Sequence, residues 1–174
     1  MIRTFTLAMP VVAVVAVPLA AQETAGSVTA TIAALERTFV VMGPEAEPGS
    51  TFERQDGDVA LEIVARPDRS PVDDGPLLRL SFTVTGMGPT ADATGAEVTW
   101  RTGDGQIYRT GEGVSEVSLT ALAMQENEVA LSGNFASQLH GGDTETQGAE
   151  LAIEGDFQAS IRQQGFADIG DGDG

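Results

Sequence analysis

Apolar and polar residues alternate along most of this chain, and a period of two is the signature of a strand with one buried face. Val28, Ala30 and Ile32 alternate with Thr29 and Thr31, and Val59, Leu61 and Ile63 alternate with Ala60 and Glu62. Leu78, Leu80, Phe82 and Val84 are interleaved with Arg79, Ser81 and Thr83. Val98 and Trp100 stand between Glu97, Thr99 and Arg101, and Val117, Leu119 and Ala121 follow the same rule. Shorter strands are predicted at 37–42 and 106–109. The connectors carry the breakers: GPEAEPGS at 43–50, RPDRSPVDDGP at 66–76, GMGPTADATG at 86–95 and TGDG at 102–105. Segment 114–124 also fits an amphipathic helix, but its Thr, Ser and Val content favours a strand. The pattern predicts an all-β antiparallel fold of about 8–9 strands, a β-sandwich or, as the alternative, a small β-barrel.

Two segments repeat one another. EVALSGNFASQL at 128–139 and ELAIEGDFQASI at 150–161 align without gaps, each with a Gly, an Asn or Asp, and then a Phe. In the first, Val129, Leu131, Phe135 and Leu139 take the inward positions; in the second, Leu151, Ile153, Phe157, Ala159 and Ile161 do. As an antiparallel hairpin, one register pairs Gly133 with Phe157, Phe135 with Gly155, Leu139 with Leu151 and Val129 with Ile161. Each ring then covers the bare backbone of the glycine opposite, a known remedy for glycine in a strand. Paired G-[ND]-F strands in a chain that also carries GSVTATIAALERTF resemble uncharacterised bacterial secreted or lipoprotein-like β-sandwich proteins, over residues 26–41 and 115–162. The resemblance implies a sandwich in the cell envelope and carries no catalytic residues. The lipid-bearing Cys of the lipoprotein members is missing here.

The first residues, MIRTFTLAMPVVAVVAVPLAAQE, have a different character. Arg3, an apolar run from Phe5 to Leu19 and the small residues Ala20 and Ala21 match a secretory signal peptide. The run is shorter than the roughly 20 residues of a spanning helix, and Pro10 and Pro18 interrupt it. The expected organisation is therefore a signal peptide at 1–21, one domain at 22–162 and an acidic flexible tail at 163–174. Cleavage after Ala21 would release a soluble periplasmic or extracellular product with no membrane insertion.

Composition narrows the chemistry. The 174 residues contain no Cys and one His, and all 9 basic residues are Arg against 26 carboxylates, a net charge of −17. Thiol and Schiff-base chemistry, thiolate metal sites and zinc sites needing several imidazoles are excluded. A surface this negative repels phosphate backbones, so nucleic acid is a poor partner. Candidate sites each have a plainer explanation. His140 opens a loop holding Asp143 and Glu145, a weak metal set that reads better as solvated loop. Asp168, Asp171 and Asp173 begin like a calcium loop but lack the closing Glu. Asp56 and Asp58 around Gly57, and Asp73 and Asp74 before Gly75, are turn-formers. Glu150, Glu154 and Asp156 share the solvated face of one strand, and one Trp and one Tyr make a poor sugar platform. Gly103, Gly105, Gly111 and Gly113 precede no helix, and Ser115 or Ser132 with His140 lacks any nucleophile-elbow context. No catalytic residue, cofactor or metal ligand is assigned. The expected function is a binding or interaction module with a protein partner in the envelope. The alternatives are a structural or accessory envelope protein, or a carboxylate-based hydrolase of glycans.

Overall fold

Among the described residues nine strands follow one another: β1 (Thr24–Ile32), β2 (Leu35–Met42), β3 (Thr51–Gln55), β4 (Asp58–Arg66), β5 (Leu77–Thr85), β6 (Asp92–Arg101), β7 (Ile107–Gln125), β8 (Glu128–Gly141) and β9 (Glu150–Arg162). The only helical element among the described residues is a single 3-10 turn at Gly88–Thr90. The computed structural model describes residues 24–67, 75–141 and 148–163, without the side chains at 89 and 112–114. The expected signal peptide, Asp73, Asp74, Asp143, Glu145 and the aspartates of the tail lie outside the described residues.

All neighbouring strands are antiparallel and lie in one sheet, in the order β2-β1-β9-β8-β7-β6-β5-β4-β3. A further pairing of β2 with β4, through Val40–Arg66 and Val41–Ala65, joins the two ends of that order. Of the two expected all-β forms this is the barrel: one sheet closed on itself rather than two sheets facing each other. β2 and β3 run along the same edge of β4, so together they act as one interrupted strand of an eight-stranded up-and-down ring. At eight strands the interior is just wide enough to be filled by side chains. Val28, Phe39, Ile63, Leu78, Leu80, Val98, Leu139, Ile153 and Ile161 fill it, each fully buried. Trp100 meets Phe39 edge-on at 5.4 Å, and Phe82 packs on Phe157 at 5.8 Å between centroids.

The β8–β9 register is the expected one at every named pair, from Val129–Ile161 through Gly133–Phe157 and Phe135–Gly155 to Leu139–Leu151. The two glycines are there for different reasons. At Gly133 a Cβ would strike the Phe157 ring at 2.8 Å as well as the Ser118 carbonyl at 2.3 Å. At Gly155 the atoms in the way belong to β1, with the Thr29 carbonyl at 2.2 Å and the Ala30 Cα at 2.8 Å. So Phe157 covers its glycine as expected, whereas the bare backbone of Gly155 admits β1, the strand that closes the ring.

Three expectations change in detail. The 114–124 segment is strand, and it is continuous with the short strand expected at 106–109, which starts one residue later: β7 runs unbroken from Ile107 to Gln125, 19 residues. An irregularity between Leu119 and Ala121 shifts β7 against β8, so Ala121 turns outward while Leu122 and Met124 turn towards the core. β3 was not expected from the alternation, since only Phe52 of its five residues is buried.

Two interruptions in the ring are bridged by hydroxyls. Between β2 and β3 the chain leaves β4 at 43–50, and the fully buried Ser50 replaces the missing strand. The Val64 N–H donates to Ser50 Oγ at 3.0 Å, and the Ser50 hydroxyl donates to the Val64 carbonyl at 3.3 Å. That excursion covers the outer side of β4, burying Met42, Val64 and Leu77, and Arg66 donates to its Glu47 carbonyl at 3.2 Å. Between β6 and β7 the ladder covers only Thr99–Arg109, Trp100–Tyr108 and Arg101–Ile107. At the next step Val98 N–H donates to Thr110 Oγ1 at 2.8 Å, and the Thr110 hydroxyl lies 3.2 Å from the Val98 carbonyl.

Candidate functional site

Because the interior is filled, the features for recognition among the described residues lie on the outer wall. Strand pairing sets its rows. One row runs Glu36, Thr31, Glu154, Ala136, Glu116 across β2, β1, β9, β8 and β7. The next runs Thr29, Asp156, Asn134, Ser118, and a third holds Ser27, Gln158 and Ser132 beside Ala121. Every side chain here is short or polar, as alternation with an apolar interior requires. The first two rows carry four carboxylates and no arginine.

Among the described residues, two shallow depressions form where alanine and serine leave the wall thin. The first, about 500 Å³, is bordered by Thr31, Ala33, Ala34, Glu116, Ala136 and Glu154. Neighbouring strands are roughly 4.8 Å apart, so Glu116 and Glu154 stand on either side of Ala136 with their backbones about 10 Å apart. The β1–β2 turn overhangs this end, with Ala33 at φ 50° and Ala34 at φ 63°, and the Ala33 N–H donates to the Ala152 carbonyl at 3.5 Å. Left-handed backbone costs an alanine roughly 1–2 kcal/mol, so the strand pairing on both sides holds this tip in shape. The second depression, about 570 Å³, lies over Gly26, Ser27, Ala123, Ala130, Ser132 and Ser160.

Beneath the first depression sits a knot of hydroxyls. Thr110 Oγ1 lies 2.8 Å from Ser115 Oγ and 3.1 Å from Ser137 Oγ, and the two serines are 2.7 Å apart. Ser137 occupies an inward position of β8 and is buried. These groups satisfy one another and the Val98 backbone at the place where β7 is irregular. The knot thereby joins β6, β7 and β8 where the ladder is broken.

The other residues singled out from the sequence are dispersed. His140 is half exposed on β8, its Nδ1 4.0 Å from Glu150 Oε1, and its ring occupies the space that a Cβ on Gly111 would fill. Glu150, Glu154 and Asp156 are exposed on β9, on the solvated face expected for them. Asp56 and Gly57, at φ 51° and 97°, form the tight β3–β4 turn. Ser132 bonds the Thr120 hydroxyl at 3.0 Å. At the lower end of the wall the Ser160 hydroxyl donates to Glu128 and, with Arg162, holds that carboxyl below the usual carboxylate range. Among the described residues no three His, Asp or Glu side chains are grouped closely enough to hold a metal ion. The acidic rows were not apparent in the sequence, because Glu36, Glu116 and Glu154 are far apart in the chain; the register alone brings them into line. No family model matches this chain, and no curated protein or solved structure matches it.

Proposed function

We propose that this protein is a secreted binding module that acts through the outer wall formed by β1, β9, β8 and β7. One observation carries the reading: the barrel interior is occupied by its own apolar side chains, while both depressions lie on that wall. Polar side chains outside and apolar ones inside are the reverse of a membrane-spanning barrel, which turns an apolar band to the lipid. This favours an aqueous compartment, in keeping with a signal peptide at 1–21. Glu150, Glu154 and Asp156 stand exposed along one strand rather than gathered in a cleft, which favours binding over acid–base hydrolysis.

The test uses the mature chain and a triple variant, Glu36→Gln, Glu116→Gln and Glu154→Gln, as baits for an envelope extract. Exposed substitutions of this kind leave folding nearly unchanged. The expected result is a protein captured by the wild-type wall and lost, or weakened at least about tenfold, with the variant. Equal capture by both baits, or glycan cleavage by the wild type that the variant lacks, would overturn the reading.

A further inference from the structure

β7 has a long backbone edge without a strand partner. From Ser115 to Gln125 it pairs with β8 on one side, while its ladder to β6 ends at Arg109, so among the described residues the other side has no strand partner, with the 3-10 turn at 88–90 beside part of it. Such an edge is a template for another chain, and proteins ordinarily blunt it with charge, proline or brevity. β3 is blunted in this way, with five residues that include Glu53 and Arg54. β7 is blunted only in part: residues 117–125, VSLTALAMQ, contain no charge and no proline, and the interruptions are the irregularity at Thr120 and, at the end, the Gln125 carbonyl, which accepts from the Arg54 guanidinium of β3. Towards the core, Leu119, Leu122 and Met124 are only partly buried, each leaving apolar surface in water beside the edge. Towards the outer wall, Glu116 stands on β7 itself, in the row that continues to Glu154 and Glu36.

We propose that the edge of β7 takes up an extended, cationic segment of a partner protein as an added strand. Main-chain bonds to β7 supply affinity, and the alternation of the added strand supplies selectivity. Its inward side chains are apolar and cover Leu119, Leu122 and Met124. Its outward side chains are Lys or Arg and face Glu116 and the acidic wall. A second copy of this chain is a poorer occupant, because joining two such edges sets molecules of net charge −17 against each other. The proposal rests on the binding-module reading and specifies its partner.

An end-blocked, fluorescein-labelled nonapeptide alternating Val and Lys tests this, with Val–Glu and Val–Ser peptides as controls. The mature chain should bind the Lys peptide saturably and at least about tenfold more tightly than the Glu peptide, and about 0.3 M salt should weaken it. Amide exchange should slow within 117–125 when the Lys peptide is added. Ala123→Lys, an exposed change, should weaken binding about tenfold, and Glu116→Gln about threefold, with unchanged melting. No binding, equal binding of the Glu peptide, or binding without protection of 117–125 would overturn the proposal. So would protection of that segment that grows with protein concentration in the absence of peptide, which would identify a second copy as the occupant. Capture of a wall-dependent partner together with failure of the peptide would remove this proposal and leave the binding-module reading in place.

Discussion

Phe157 and Gly133 show how much a single pair of residues decides. The ring lies where the glycine has no side chain, and the strand approaches β7 so closely that no Cβ fits. Truncating Phe157 to Ala removes a buried ring that also meets Phe82, and should cost about 3–5 kcal/mol. Phe135→Ala should cost a similar amount, since Phe135 is equally buried. His140→Ala, half exposed on the wall, should cost under about 0.5 kcal/mol. Denaturant melts of the three variants check this, and a His140 variant less stable than either Phe variant would be the contrary outcome. The Gly–Phe pattern was legible in the sequence because both members lie on neighbouring strands of one hairpin. The role of Gly155 was not, because the atoms it admits belong to β1, distant in the chain. The Ala33–Ala34 tip was equally hidden, since alanine is an unusual choice for a turn with two positive φ angles, whereas Asp56–Gly57 announced itself.

At the scale of elements, the two hydroxyl bridges explain how irregular strands stay in the ring. Ser50 and Thr110 each take the place of one residue of a neighbouring strand, satisfying Val64 and Val98 where the ladder stops. Ser50→Ala and Thr110→Val leave buried or half-buried backbone groups without partners and should each cost roughly 1–3 kcal/mol. Thr120→Val removes only an exposed bond to Ser132 and should be near neutral. Thermal melts rank the three, and a neutral Thr110→Val would contradict the bridging role. Alternation revealed strands whose inward positions are consistently apolar, such as β5 and β8. It divided β7 in two, because TGEG at 110–113 looks like a turn while the backbone continues through it as strand. It missed β3, which buries too little apolar surface to leave a pattern.

At the scale of the molecule, closure is what turns a meander into a barrel and places the acidic rows on one wall. Each hairpin from β4 to β9 follows from adjacency in the chain, so those pairings were within reach of sequence reasoning. Closure depends on β1 meeting β9 and on β2 meeting β4, contacts between distant segments with no local signal. The sequence therefore left sandwich and barrel both open, and it could not place Glu36 beside Glu154. The most direct test is a nuclear Overhauser spectrum of the isotope-labelled mature chain. Closure predicts cross-strand contacts at Val28–Phe157 and Ala30–Gly155 between β1 and β9, and at Val41–Ala65 between β2 and β4. Intact β8–β9 contacts without either closing set would show an open sheet and contradict the account.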